Sequence, residues 1–147
     1  MRRWRIRTDI NRYTFDEIRV GQKESFEAKI TEEMLEAFGI ITGDINPLHT
    51  DEGYAREHGY RSRVAYGMLT AAFMSTLAGV YIPGERSLIK ETHVKFAKPV
   101  FPGDMITVQG EVTEKNDTFK MIVLKVTIKN GNDEKVLRGS MDIMVRE

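Results

Sequence analysis

The chain has 147 residues, with 22 Lys+Arg against 22 Asp+Glu, and no cysteine. That length fits one domain that buries roughly 70% of its unfolded surface without disulfide or metal staples. The missing cysteine excludes thiol nucleophiles and Cys-based zinc sites, and the balanced charge argues against a general nucleic-acid binder. No apolar run approaches the roughly 20 residues of a membrane helix. The basic start MRRWRIRTDI lacks the apolar core of a secretory signal. These features lead to the expectation of a soluble, cytoplasmic domain.

Arg2, Arg3, Arg5, Arg7 and Arg12 mark residues 1–12 as a basic arm ahead of a domain over residues 13–147. Such an arm reads either as a solvated, partly disordered tail or as a contact for an anionic partner. Lys23 to Ile30 predicts a strand. Thr31 followed by Glu32 and Glu33 predicts a capped helix start, with Met34, Leu35, Phe38 and Ile41 near one face and Gly43 as the stop. Asp51 reads as the cap of a second helix through Glu57, stopped by Gly59. Gly67 to Gly79 carries no charge and predicts a helix buried on most faces. Leu88 to Phe96 predicts a long strand. Three further strands alternate apolar and polar residues through Ile106–Val112, Ile122–Ile128 and Leu137–Val145, joined by turn residues at Asn116-Asp117 and Asn130 to Asp133. The pattern predicts an α+β fold, with a curved antiparallel sheet wrapped around one uncharged helix. One helix covers only part of such a sheet, so self-association by edge pairing is expected.

The segment Thr42 to His49, TGDINPLH, is the most informative. Gly43 permits a tight backbone, and Asn46-Pro47 forces a turn. Asp44 and His49 would lie on different faces of a straight helix, but across this bend they can converge on one water as a general acid/base pair. A plainer reading has Asp44 capping the next turn and His49 satisfying a backbone carbonyl. A metal site from Asp44, His49 and His58 lacks paired ligand spacing. Further on, Tyr66-Gly67-Met68 opens the uncharged helix. Its free N–H groups lie at a positive dipole end, and Gly67 has no side chain to block a ligand oxygen. The alternative for Gly67 is close packing alone.

TGDINPLH followed by a helix opening in YGML resembles the MaoC-type hydratases and dehydratases, which include R-specific enoyl-CoA hydratases. The resemblance extends from Val20-Gly21-Gln22 through Phe96 to Val100 and Pro102-Gly103-Asp104 into the last strands. It implies a hot-dog fold and a homodimer with active sites near the subunit interface. It implies that Asp44 and His49 are the catalytic pair, that the Gly67 N–H holds the thioester carbonyl, and that Asn46 shapes the loop. Ser75 aligns with a serine that supports the pair in some members. A small core residue bonding its own helix is the competing reading for Ser75. Many members have His where this chain has Tyr66, which is expected to reshape the pocket entrance or simply to pack at the helix start.

The implied activity is reversible hydration of a trans-2-enoyl thioester to an (R)-3-hydroxyacyl thioester, with no cofactor beyond the carrier. Coenzyme A and acyl carrier protein are the two candidate carriers, and an acidic carrier protein would give the basic arm a partner. An acyl-thioester sensor without catalysis and a thioesterase are the rivals on the same fold. The acyl tunnel is expected beside the uncharged helix, near Met68, Leu69 or Phe73. His58 and His93 are expected at the surface.

Overall fold

Residues 7–147 are described in the computed structural model of the chain. The expected arm falls outside the described residues at 1–6. Its remainder is exposed yet tethered: Asn11 N–H donates to Val80 O at 3.0 Å, and the Asn11 amide donates to Tyr81 O at 2.8 Å. An asparagine can satisfy backbone groups with both its main and side chains, which an arginine-rich composition does not reveal.

Five strands form one antiparallel sheet: β1 (Lys23–Lys29), β2 (Ser87–Phe96), β3 (Met105–Asn116), β4 (Met121–Lys129) and β5 (Lys135–Val145). Their order is β1-β3-β4-β5-β2. The alternation read from the sequence sets the inward face. Ile106, Val108 and Val112 of β3, with Ile122, Leu124, Val126 and Ile128 of β4, are buried, while their neighbours are more exposed.

Among the described residues four α-helices accompany the sheet: α1 (Glu32–Thr42), α2 (Pro47–Thr50), α3 (Glu52–Glu57) and α4 (Gly67–Thr76), the last continuing as a π-helical turn over Leu77–Tyr81. Leu77 lies over Gly110 of β3 and Met74 over Gly139 of β5, so the uncharged helix supplies the core side chains that the sheet faces. The expected single helix through Gly79 is therefore α-helical for ten residues and π-helical beyond.

The expected burial of the uncharged helix on most faces stops at one stripe: Met68, Ala72 and Ser75 on α4 are exposed, Met68 at 63%. A single sheet covers one side of a helix, and among the described residues nothing lies against this stripe on the opposite side. β2 is likewise exposed along most of its length and, among the described residues, has β5 on one side only.

Candidate active site

The loop after α1 is built by short-range polar bonds. Thr31 caps α1 by accepting the Met34 N–H, and the helix ends at Gly43, whose φ of 75° suits a residue without Cβ. Thr42 Oγ1 accepts the Asp44 N–H at 3.2 Å, and Asp44 Oδ1 accepts the Asn46 N–H at 3.1 Å. Asn46 Oδ1 then accepts the Leu48 N–H at 3.0 Å. Asn46-Pro47 is therefore a helix start as well as a bend: Asn46 caps α2 and Pro47, which has no N–H to leave unpaired, takes its first turn. The sequence displays the bend but not the one-turn helix, which is too short to show periodicity.

α2 carries His49, half-buried, against the segment that follows α3. Val64 N–H donates to Leu48 O at 3.0 Å, and His49 Nδ1 lies 2.7 Å from Val64 O. A carbonyl oxygen only accepts, so Nδ1 carries a proton, and in the neutral ring the lone pair is on Nε2. The plainer reading, a histidine satisfying a backbone carbonyl, is therefore met by one ring nitrogen and leaves the other available.

The next segment brings Gly67 alongside. Ala65 N–H donates to Val100 O at 2.8 Å, and α4 begins two residues later. The first donors of α4 that find its opening acceptor are Leu69 and Thr70, both to Tyr66 O, at 3.0 and 3.2 Å. The Gly67 and Met68 N–H groups lie ahead of that ladder, at the positive end of the helix. A Cβ at Gly67 would sit 3.0 Å from Phe96 Cε1, so the Phe96 ring lies directly on the glycine.

His49, Gly67, Thr70, Phe96, Val100 and Val136 line a cavity of about 300 Å³. An imidazole nitrogen with a lone pair and a helix-start N–H on one largely apolar cavity can together move a proton and stabilise a nascent oxyanion. Thr70 is 3% exposed, and its hydroxyl has no hydrogen-bond partner among the described residues.

Residues 16–134 match the MaoC like domain family. The chain belongs to that family. Among relatives of this MaoC-like chain is the (R)-specific enoyl-CoA hydratase of Rhodospirillum rubrum, 31% identical over 137 residues, 93% of this chain and 94% of that protein. The 3-hydroxybutyryl-CoA dehydratase of Methylorubrum extorquens is 32% identical over 131 residues, 89% of this chain and 83% of that protein. Among solved structures, unliganded R-hydratase PhaJ1 from Pseudomonas aeruginosa superposes with a TM-score of 0.89 at 30% identity, covering 94% of this chain and 88% of that one. The MaoC-like fold is the hot-dog arrangement expected from the sequence.

The structure brings His49 and Gly67 onto one cavity. Asp44 is exposed and is not among the cavity-lining residues. It is joined to the site through Tyr66, whose Oη–H donates to the Asp44 main-chain oxygen at 2.6 Å and whose ring lies 4.2 Å from that of His49. Asn46 caps α2 without touching the cavity. Ser75 stands apart, exposed two turns along α4 from Gly67. Tyr66 is 2% exposed and does not line the cavity, which corrects the expectation that it reshapes the entrance. Burial pushes its hydroxyl pKa up, the Asp44 charge adds to this, and Arg63 opposes it. Phe96, Val100 and Val136 line the cavity, and Met68, Leu69 and Phe73, expected along an acyl tunnel, are not among its lining residues. Phe73 lies instead against Phe26 of β1, at 6.5 Å between ring centroids. His58 and His93 are exposed, as expected.

Proposed function

We propose that this MaoC-like chain is a hydro-lyase that reversibly hydrates trans-2-enoyl-CoA to (R)-3-hydroxyacyl-CoA. The observation that carries this reading is the convergence of His49 and the Gly67 helix start on one cavity. The hydratase and dehydratase relatives, matched over most of their length, support it.

In the forward direction the water oxygen bonds to the β-carbon, and the α,β double bond shifts its electrons toward the thioester carbonyl. One water proton passes to the base of the Asp44/His49 pair, and a proton from the pair reaches the α-carbon. Negative charge grows on the thioester oxygen, where the Gly67 N–H and the helix start stabilise it. Asn46 holds the α2 start that carries His49. No cofactor beyond the thioester carrier is required.

Asp44 is open to solvent in the single chain, and the neighbouring Ile40, Ile41 and Ile45 are 80–85% exposed. Three isoleucines in water beside a catalytic carboxylate favour a second copy that covers them, so the working form is proposed to be a homodimer.

The test is loss of the enoyl absorbance when the purified chain meets crotonyl-CoA, a longer trans-2-enoyl-CoA or an enoyl acyl carrier protein, with Asp44→Asn beside it. Wild-type turnover and a loss of roughly 10²–10⁴-fold in the variant are expected. No wild-type turnover on any of the three removes the enzyme reading and favours an acyl-thioester sensor. Full activity in Asp44→Asn removes Asp44 from the mechanism.

A further inference from the structure

Tyr66 has no part in the chemistry just described, yet it touches most of its machinery. Its Oη–H bonds the main-chain oxygen of Asp44, its ring packs on His49, and its chain neighbour is Gly67. A third contact is Phe38 of α1, at 4.9 Å between ring centroids.

Gly39 supplies an independent observation. It lies inside α1, where glycine is disfavoured by roughly 1 kcal/mol relative to alanine. A Cβ at this position would sit 2.8 Å from Tyr66 Oη and 3.5 Å from Asp44 O. The tyrosine hydroxyl therefore occupies the space that any other residue at 39 would fill, which accounts for a residue that helix propensity argues against. Because burial raises its pKa, the phenol keeps its proton, and so its donor role, across the neutral range.

We propose that Tyr66 is a positioning residue for hydration, setting the placement of Asp44 relative to His49, and that Gly39 is the gap matched to its hydroxyl. This rests on the proposed roles of Asp44 and His49. The bond goes to the main chain of Asp44, so it fixes where the carboxylate stands without occupying it. Tyr66 does not line the cavity, so its loss acts on turnover and leaves substrate binding alone. A misplacement of about 1 Å in a catalytic group is worth on the order of 10²-fold in rate.

The experiment compares wild type, Tyr66→Phe, Gly39→Ala and the double variant in kcat, KM and Tm, with Asp44→Asn as the inactive reference. Tyr66→Phe keeps both ring contacts and is expected to lose about tenfold or more in kcat with KM unchanged. Gly39→Ala is expected to show the same kcat loss and a lower Tm, because its methyl displaces the hydroxyl. The double variant is expected to regain Tm, since phenylalanine lacks the atom that the methyl meets, but not kcat. A smaller kcat loss in Tyr66→Phe, or a loss confined to KM, overturns the positioning role. A double variant no more stable than Gly39→Ala overturns the pairing. If Tyr66→Phe fails to fold, Gly39→Ala decides the kinetic arm by the same threshold. If wild type turns over no enoyl thioester, the proposed function falls and the positioning role with it, while the Tm arm still decides whether residues 39 and 66 are matched.

Discussion

A histidine is defined chemically by what its two ring nitrogens meet. In His49 the Val64 carbonyl takes Nδ1–H, which leaves Nε2 as the nitrogen for the proposed proton transfer. Tyr66 illustrates the same point for a phenol, with a consequence at alkaline pH. Its folded pKa is raised above 10.0, and that of Tyr13 is raised too, by burial and by the Glu24 carboxylate that accepts its hydroxyl at 3.0 Å. A group that holds its proton more tightly when folded contributes stability fully below its unfolded pKa, and the contribution is lost as pH rises through the folded value. Thermal stability should therefore decline as pH climbs past about 10, and Tyr66→Phe should show a shallower decline. Melting curves across that range check this; identical slopes would place the alkaline loss elsewhere. TGDINPLH and YGML point to Asp44, His49 and Gly67. For Tyr66 they offer only a place at the pocket entrance or packing at the helix start, because the bond from its hydroxyl to the Asp44 carbonyl exists only in the folded chain.

At the scale of elements, caps and stops were legible because they are local chemistry. Thr31 and Asp51 accept N–H groups three residues on, as their types suggest, and Gly43 ends α1 in the left-handed region. α2 was not legible, since its four residues hold no period. It exists because Asn46 accepts the Leu48 N–H and the Val64 N–H holds Leu48 O from outside. Asn46→Ala should cost about 1 kcal/mol of stability from the lost cap. It should also lower kcat, because α2 aims His49. Urea unfolding beside crotonyl-CoA kinetics tests the pair of effects; a stability loss with unchanged kcat would make Asn46 a cap and nothing more.

At the scale of the molecule, apolar surface is left over. The stripe through Met68 and Ala72 on α4, the open edge β2 and the isoleucines beside Asp44 are all exposed in one chain. A second copy that buried them would contribute roughly 25 cal/mol for each Å² of apolar surface removed from water. Sedimentation equilibrium should then return about twice the 16.9 kDa chain mass. Ala72→Glu places a charge on the exposed stripe without disturbing the core, and should shift the mass toward the monomer and lower turnover. A monomeric wild type would overturn the dimer and leave Asp44 working in open solvent.

Alternation of apolar residues every second position specified β3, β4 and β5, because an antiparallel sheet with one wet face demands that pattern and few others. The absence of charge from Gly67 to Gly79 specified a core helix, and the order TGDINPLH then YGML specified the family. These are properties of neighbours along the chain, and neighbours are what a sequence displays. The cavity wall depends instead on contacts across long separations: Phe96 lying on Gly67, Ala65 bonded to Val100, and His49 bonded to Val64. The same holds for Tyr66 and Gly39, 27 positions apart in the numbering, where one residue lacks a side chain because the other has a hydroxyl. Such pairings are set by how the helices dock on the sheet, a geometry that no local pattern of residues carries.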